Sequence, residues 1–289
     1  DDMSCAQDRS GRGTRWASVV AGKRFGVAKA AKLHSVKVFE DNGEGNVWWW
    51  VAAIDWVLTK GKRPAVIHSG PEKHGELRSI DYAIHGAIHA GITVVVAAGN
   101  LGKHACEYSP AMSLFAITVA ATERTDTAAT GLDPRAPWSN LGSCLNIFAP
   151  GSKIPSAGHR SDSAAVSSSG SAVAAAHVAG AAGLLLEEDP SRRAVHMHHI
   201  LTTHASFNVV RNATLLSPNV FLCVEDMSAF VGNIDATDIP AHRNPETKTT
   251  GHGRWIISSR AGCNSQVLGK LQKHLQKFAP SDSKSIFQG

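Results

Sequence analysis

The sequence has no apolar run approaching the ~18 residues that a membrane span requires. Its longest mostly apolar stretches, Ile92 to Ala98 and Ala172 to Leu186, suit buried elements of an α/β core. Its five cysteines include no CxxC pair, which excludes a zinc module and a dense disulfide scaffold. The net charge is only +5, and Lys and Arg form no dense patch interleaved with aromatics, so a nucleic-acid surface is excluded. There is no internal repeat. What is present is ordinary for a folded globular chain: 289 residues, 43% hydrophobic and 18% charged. Fifteen histidines are many, and His196, His198 and His199 cluster, but at that spacing they read as an exposed helix face rather than a metal site. The chain begins at Asp1 without a Met or signal-like stretch, which reads as a processed or incomplete sequence and leaves its compartment, secretory or organellar, open.

Hydrophobic periodicity gives an alternation of strands and helices over residues 1–223. Strands are expected at 32–39, 65–69, 92–98, 115–121 and 145–149, and helices at 47–59, 77–90, 171–187 and 191–203. The near-continuous apolar run at 92–98 marks a central position in a parallel sheet. Such alternation implies a mostly parallel central sheet with helices on both faces. Residues 224–289 differ in kind: they are polar and turn-rich, with one amphipathic stretch, Leu268, Leu271, Leu275 and Phe278. They carry too little apolar surface to fold alone, so they read as an extension packed on the domain or on partner subunits.

Several stretches, in order, are similar to one family. They include "GRGTRWASVVAG" (11–22), "GITVVVAAGN" (91–100), "WSNLGSCLNIFAPGSKIPSA" (138–157) and "GSAVAAAHVAG" (170–180). Together they resemble the subtilases, closest to the proteinase K and aqualysin branch, and imply the three-layer α/β fold of those serine proteases. In that family an Asp, a His and a Ser form the triad, and an Asn stabilises the oxyanion. The family's G-H-G-T-H is here Gly11-Arg12-Gly13-Thr14-Arg15, and its G-T-S-M-A is Gly170-Ser171-Ala172-Val173-Ala174. Arg12 therefore stands at the general-base position and Ala172 at the nucleophile position. Ser171 is one residue, or about 100°, away around the helix. The strand that would end in the triad aspartate has no counterpart, and Asp1, Asp2 and Asp8 read as surface residues of a turn-like leader. Asn100 keeps the oxyanion position. The family's N-M-S-L-G-G substrate segment is replaced by Ile67-His68-Ser69-Gly70-Pro71-Glu72, in which Pro71 interrupts strand-like pairing.

The resemblance implies a disulfide between Cys106 and Cys144, the alternative being two free thiols in a reducing compartment. Asn146 stands where such proteases place a calcium-ligating Asp, so calcium, the one cofactor considered, is disfavoured. Trp48, Trp49 and Trp50 are consecutive on a helix and cannot all face one core, so they are candidates for partner binding. With two triad positions substituted, the sequence predicts no enzyme. It predicts an inactive subtilase-like subunit of a larger protein assembly, or else a binder of peptides or a receptor through the cleft, ahead of an active serine endopeptidase.

Overall fold

After Gly91 and Ile92 come a threonine, three valines and an alanine, and all five residues of the strand they form are buried. This strand lies inside a six-stranded sheet. The computed structural model describes residues 7–124 and 132–224. In chain order the helices are α1 (Arg12–Ala21), α2 (Val47–Lys60), α3 (Arg78–His89), α4 (Ser171–Glu188) and α5 (Ala194–Thr203). The strands are β1 (Val66–Ser69), β2 (Lys73–His74), β3 (Thr93–Ala97), β4 (Tyr108–Ser109) and β5 (Ile117–Thr122), then β6 (Ile147–Pro150), β7 (Ile154–Ala157), β8 (Ala165–Ser168), β9 (Ser206–Phe207) and β10 (Val220–Phe221). The sheet order is β1-β3-β5-β6-β10-β9. Its pairs are parallel except for β9, which runs antiparallel to β10.

Alternation along β3 builds three layers, because successive side chains leave opposite faces of a strand. Val94 and Val96 pack with Trp50 and Ile54 of α2 and Ile80 and Ile84 of α3. Val95 packs on the other face with Val178, Ala182 and Leu185 of α4 and Leu201 of α5. Helix α4 crosses β1, β3, β5 and β6 and also meets α1. Its small residues permit this approach: a Cβ on Gly180 would lie 2.6 Å from Val27 Cβ and 3.0 Å from Val20 O. The three-layer α/β architecture expected from the sequence is therefore the observed one.

Two expectations, a strand at 32–39 and Asp8 as a surface residue of a leader, need correction. Residues 32–39 form no strand; they run along the surface with one isolated bridge, Phe39 to Gly45. Among the described residues their alternating pattern has no continuous hydrogen-bonded neighbour, without which a strand is not held. The antiparallel hairpin of β7 and β8 was not foreseen, because its second strand, "AVSS", is exposed and polar along most of its length. The amphipathic stretch at 268–278, and all of the extension beyond Val224, lie outside the described residues, as do Asp1 and Asp2. Asp8 is not a loose surface residue. Its carboxylate accepts from the N–H groups of Gly11 and Thr14, both at 2.7 Å, and from Thr14 Oγ1 at 2.8 Å, capping α1. Burial acts to raise its pKa, but these accepted hydrogen bonds outweigh it and hold the carboxyl below its usual range.

Cys106 and Cys144 are joined by a disulfide, with Cα atoms 5.3 Å apart. Cys223 is disulfide-bonded as well, a bridge that the resemblance did not imply. The spacing of five cysteines could not reveal this.

His177 lies inside α4, 7% exposed, with Nδ1 donating to Pro150 O at 2.9 Å. Burial pushes its pKa down to about 4, against the opposing pull of the Pro150 carbonyl. An unfolded imidazole takes its proton near pH 6.5, so below that the unfolded state holds a proton the folded state lacks. Stability should therefore fall as pH falls from about 6.5 toward 4, by roughly 1.4 kcal/mol per pH unit from this residue. Denaturant titrations across this range should show that slope added to a similar one from His68, whose pKa burial also lowers to about 4, and His177→Gln should remove only the His177 share. An identical slope in the variant would rule out His177 as its source.

Candidate active site

The C-terminal end of β3 runs into Ala98-Gly99-Asn100, and this junction meets the first residues of α4. Gly99 adopts φ +106, and a Cβ there would strike Glu72 Oε2 and Asn140 Nδ2, so only glycine fits. Asn140 shapes the loop that follows. Its Oδ1 accepts from the N–H groups of Leu101 and Lys103, both at 3.0 Å, and its Nδ2 donates to Ala98 O at 2.9 Å. Two further bonds tie the loop to α4: Ser171 N–H donates to Asn100 Oδ1 at 2.8 Å, and Gly99 N–H donates to Ser171 Oγ at 3.0 Å. The Asn100 carboxamide is thereby fixed at the positive end of an 18-residue helix.

Glu72 closes this corner. Its Oε2 accepts from Asn100 N–H at 3.1 Å, and its carboxylate also takes a hydrogen bond from the Asn100 side chain. Burial raises the Glu72 pKa above the ordinary carboxylate value, against the two Asn100 hydrogen bonds that lower it. The sequence did hold a signal for this residue: a carboxylate stands where the family pattern has a glycine. It drew no attention beside Pro71. Pro71 itself precedes β2, whose two residues pair antiparallel with β4.

The remaining candidate positions are placed as follows. Ala172 is the second residue of α4, 6% exposed, and its carbonyl accepts from His68 Nε2 at 2.8 Å. Ser171 is fully buried, with its hydroxyl engaged by Gly99. Arg12 opens α1 and is turned to the following surface segment: Nη1 donates to Gly43 O at 3.2 Å, and the guanidinium lies 5.9 Å from the Phe39 ring centroid. The structure thus brings Asn100, Glu72 and the start of α4 together, and draws the head of Arg12 toward the 39–43 turn. Asn146 uses Oδ1 to accept from Thr118 N–H at 2.7 Å. Asn146 Oδ1 carries no negative charge and already accepts from Thr118, which makes it a weaker calcium ligand than a carboxylate would be. Among the described residues, no three His, Cys, Asp or Glu side chains converge as metal ligands. No described helix is long and apolar enough to cross a membrane.

The tryptophans divide. Trp50 is buried and donates from Nε1 to Ser69 Oγ at 2.9 Å, whereas Trp48 and Trp49 are 68% and 46% exposed. Trp49 and Trp56 line an open groove of about 800 Å³ between α2 and the 36–42 segment, with Val36 and Phe39 on the opposite wall.

Comparison with known proteins agrees with this architecture. The subtilase family model matches residues 1–221. The chain is 43% identical over 217 residues to an extracellular serine proteinase of Thermus sp. (strain Rt41A), covering 75% of this chain and 51% of that protein. It is 35% identical over 206 residues to alkaline serine exoprotease A of Vibrio alginolyticus, covering 71% and 37%. The crystal structure of a cold adapted subtilisin-like serine proteinase superposes with TM-score 0.68 at 33% identity, over 75% of each chain. The chain thus spans about half, or less, of the length of these sequence relatives.

These findings overturn the expectation that the chain is not an enzyme. Relatives at 35–43% identity are named as serine proteases, and the sheet, the central helix and Asn100 beside the start of that helix are in place here. Arg12 and Ala172 close one route for proton transfer and attack, and the hydrogen-bonded Asn100 corner remains. In enzymes of this kind that corner and substrate binding still give about a thousand- to ten-thousand-fold over water without a triad member. The inference of an inactive structural subunit loses its footing with that expectation. By the extent of the match and the retained fold, the chain belongs to the subtilase family.

Proposed function

We propose that this domain hydrolyses peptide bonds in extended polypeptides, with the scissile carbonyl polarised at Asn100. The observation that carries this reading is the fixed corner in which Asn100 Oδ1 is held by Ser171 N–H, which leaves the amide nitrogen to donate. A preorganised donor at a helix N-terminus stabilises developing negative charge without reorganising during the reaction. Membership of a peptidase family supports the choice of a peptide bond over another acyl compound. Proteolysis of a quenched fluorescent peptide by the purified full-length chain tests it. Turnover above the uncatalysed rate is expected, and Asn100→Ala should lower kcat by roughly a hundred- to a thousand-fold. No cleavage by the unmodified chain across a varied peptide set sinks the reading.

A second reading, compatible with the first, concerns the exposed tryptophans. We propose that Trp48 and Trp49 contact another protein, as an accessory role in an assembly would require. Their large exposed area beside the groove favours this, since tryptophan is enriched at interface centres. Sedimentation of the full-length chain alone and with its co-purifying proteins should show a complex that Trp48→Ala with Trp49→Ala weakens at least tenfold. A complex unaffected by the double substitution would place the contact elsewhere.

A further inference from the structure

If the domain hydrolyses peptides, something other than residue 172 must attack, because alanine carries no nucleophilic atom. The groups near the corner are few. Ser171 Oγ is buried and already accepts from Gly99 N–H. The His68 Nε2 is committed to Ala172 O, and its pKa is pushed down to about 4, chiefly by burial. The Arg12 guanidinium has donors and no acceptor, and it faces Gly43. Glu72 remains: a partly buried carboxylate held against the backbone N–H and side chain of Asn100.

We propose that Glu72 is a catalytic residue that activates a water molecule for direct attack on the carbonyl carbon polarised by Asn100. This rests on the hydrolytic reading given above. In the first step the Glu72 carboxylate takes a proton from water, and the water oxygen bonds to the carbonyl carbon. The carbonyl π pair moves onto oxygen, giving a tetrahedral oxyanion. Negative charge thereby passes from Glu72 to that oxyanion, which accepts from the second hydrogen of the Asn100 amide nitrogen while the first stays on Glu72. In the second step the protonated Glu72 gives its proton to the amide nitrogen. The C–N bond then breaks, the oxyanion reforms a carbonyl, and the products are a carboxylic acid and an amine, with Glu72 again a carboxylate. One water is consumed and no acyl-enzyme forms.

The surroundings suit a base of this kind. The groups that face Glu72 are amides, the backbone and side chain of Asn100. The charged residues on the adjoining segments, Lys73 and Lys103, are exposed to solvent, and Glu72 forms no ion pair among the described residues. Its partial burial raises the carboxyl pKa, which makes the carboxylate a stronger base than one in water.

Steady-state hydrolysis of a peptide amide by the full-length chain, compared with Glu72→Gln and Glu72→Asp, decides the matter. The expected result has three parts. Glu72→Gln should lose roughly a hundred- to ten-thousand-fold in kcat with KM little changed. It should also lose the acidic limb of the kcat–pH profile, which in the unmodified chain lies above the usual carboxylate range because the pKa is raised. Glu72→Asp should retain that limb at reduced rate. Melting temperatures of both variants are measured alongside, so that a folding defect in one leaves the other to decide. Mass spectrometry during turnover should find no covalent adduct. Cleavage by Glu72→Gln within threefold of the unmodified rate, with the same pH profile, overturns the role of Glu72 while leaving the hydrolytic reading intact. An acyl adduct on any serine overturns it as well. Absence of cleavage by the unmodified chain removes both proposals together.

Discussion

The hydrogen bond from Ser171 N–H to Asn100 Oδ1 is the constraint on which the rest of the site depends. A helix begins with donors that have no partner inside it. Here one of them is satisfied by a side chain from the opposite edge of the cleft, and Ser171 returns the favour by accepting from Gly99. The pair locks the end of β3 to the start of α4, so the geometry of the corner is set by the sheet and the central helix together. A loop held at only one end could not orient a carboxamide so firmly.

The position of α4 is fixed in turn by side chains that are nearly absent. Alanine and glycine along its length let it lie close over four strands and against the chain after α1. Dense packing of this kind resists displacement, because few voids exist into which the helix could relax. The small-residue run at 172–182 thus serves the site at a distance: it holds still the helix end that Asn100 engages. This is also why the substitution at Ala172 leaves the architecture undisturbed, since alanine continues the same packing.

Much of this was legible in the sequence. The apolar run at 92–98, the Ala-rich helix ending before Pro190, and Asn100 at a strand end are local patterns with local causes. What was not legible depended on partners distant in sequence. The segment 32–39 has strand-like alternation but, among the described residues, only the isolated Phe39 to Gly45 bridge to pair with. Asp8 reads as a leader residue until its carboxylate is seen to gather Gly11 and Thr14. Glu72 is the sharpest case, being one acidic residue in an exposed-looking turn whose meaning comes from Asn100, 28 residues later. The substitutions at residues 12 and 172 were read correctly as side chains. The step from those side chains to the absence of enzymatic activity was the part that failed, because motif positions describe one chemistry and a cleft can hold others.

Gly99 carries a consequence of another sort. The space that a side chain at residue 99 would fill is held by the Glu72 carboxylate and the Asn140 amide. Residues 72, 99 and 140 therefore share a single small volume, and none of them can change size independently. Enlarging residue 99 would expel the acid from the corner, and enlarging residue 72 would press on the backbone that aims Asn100. Among homologous chains these three positions should vary as a set, and a chain with a bulkier residue at one should show a smaller one at another.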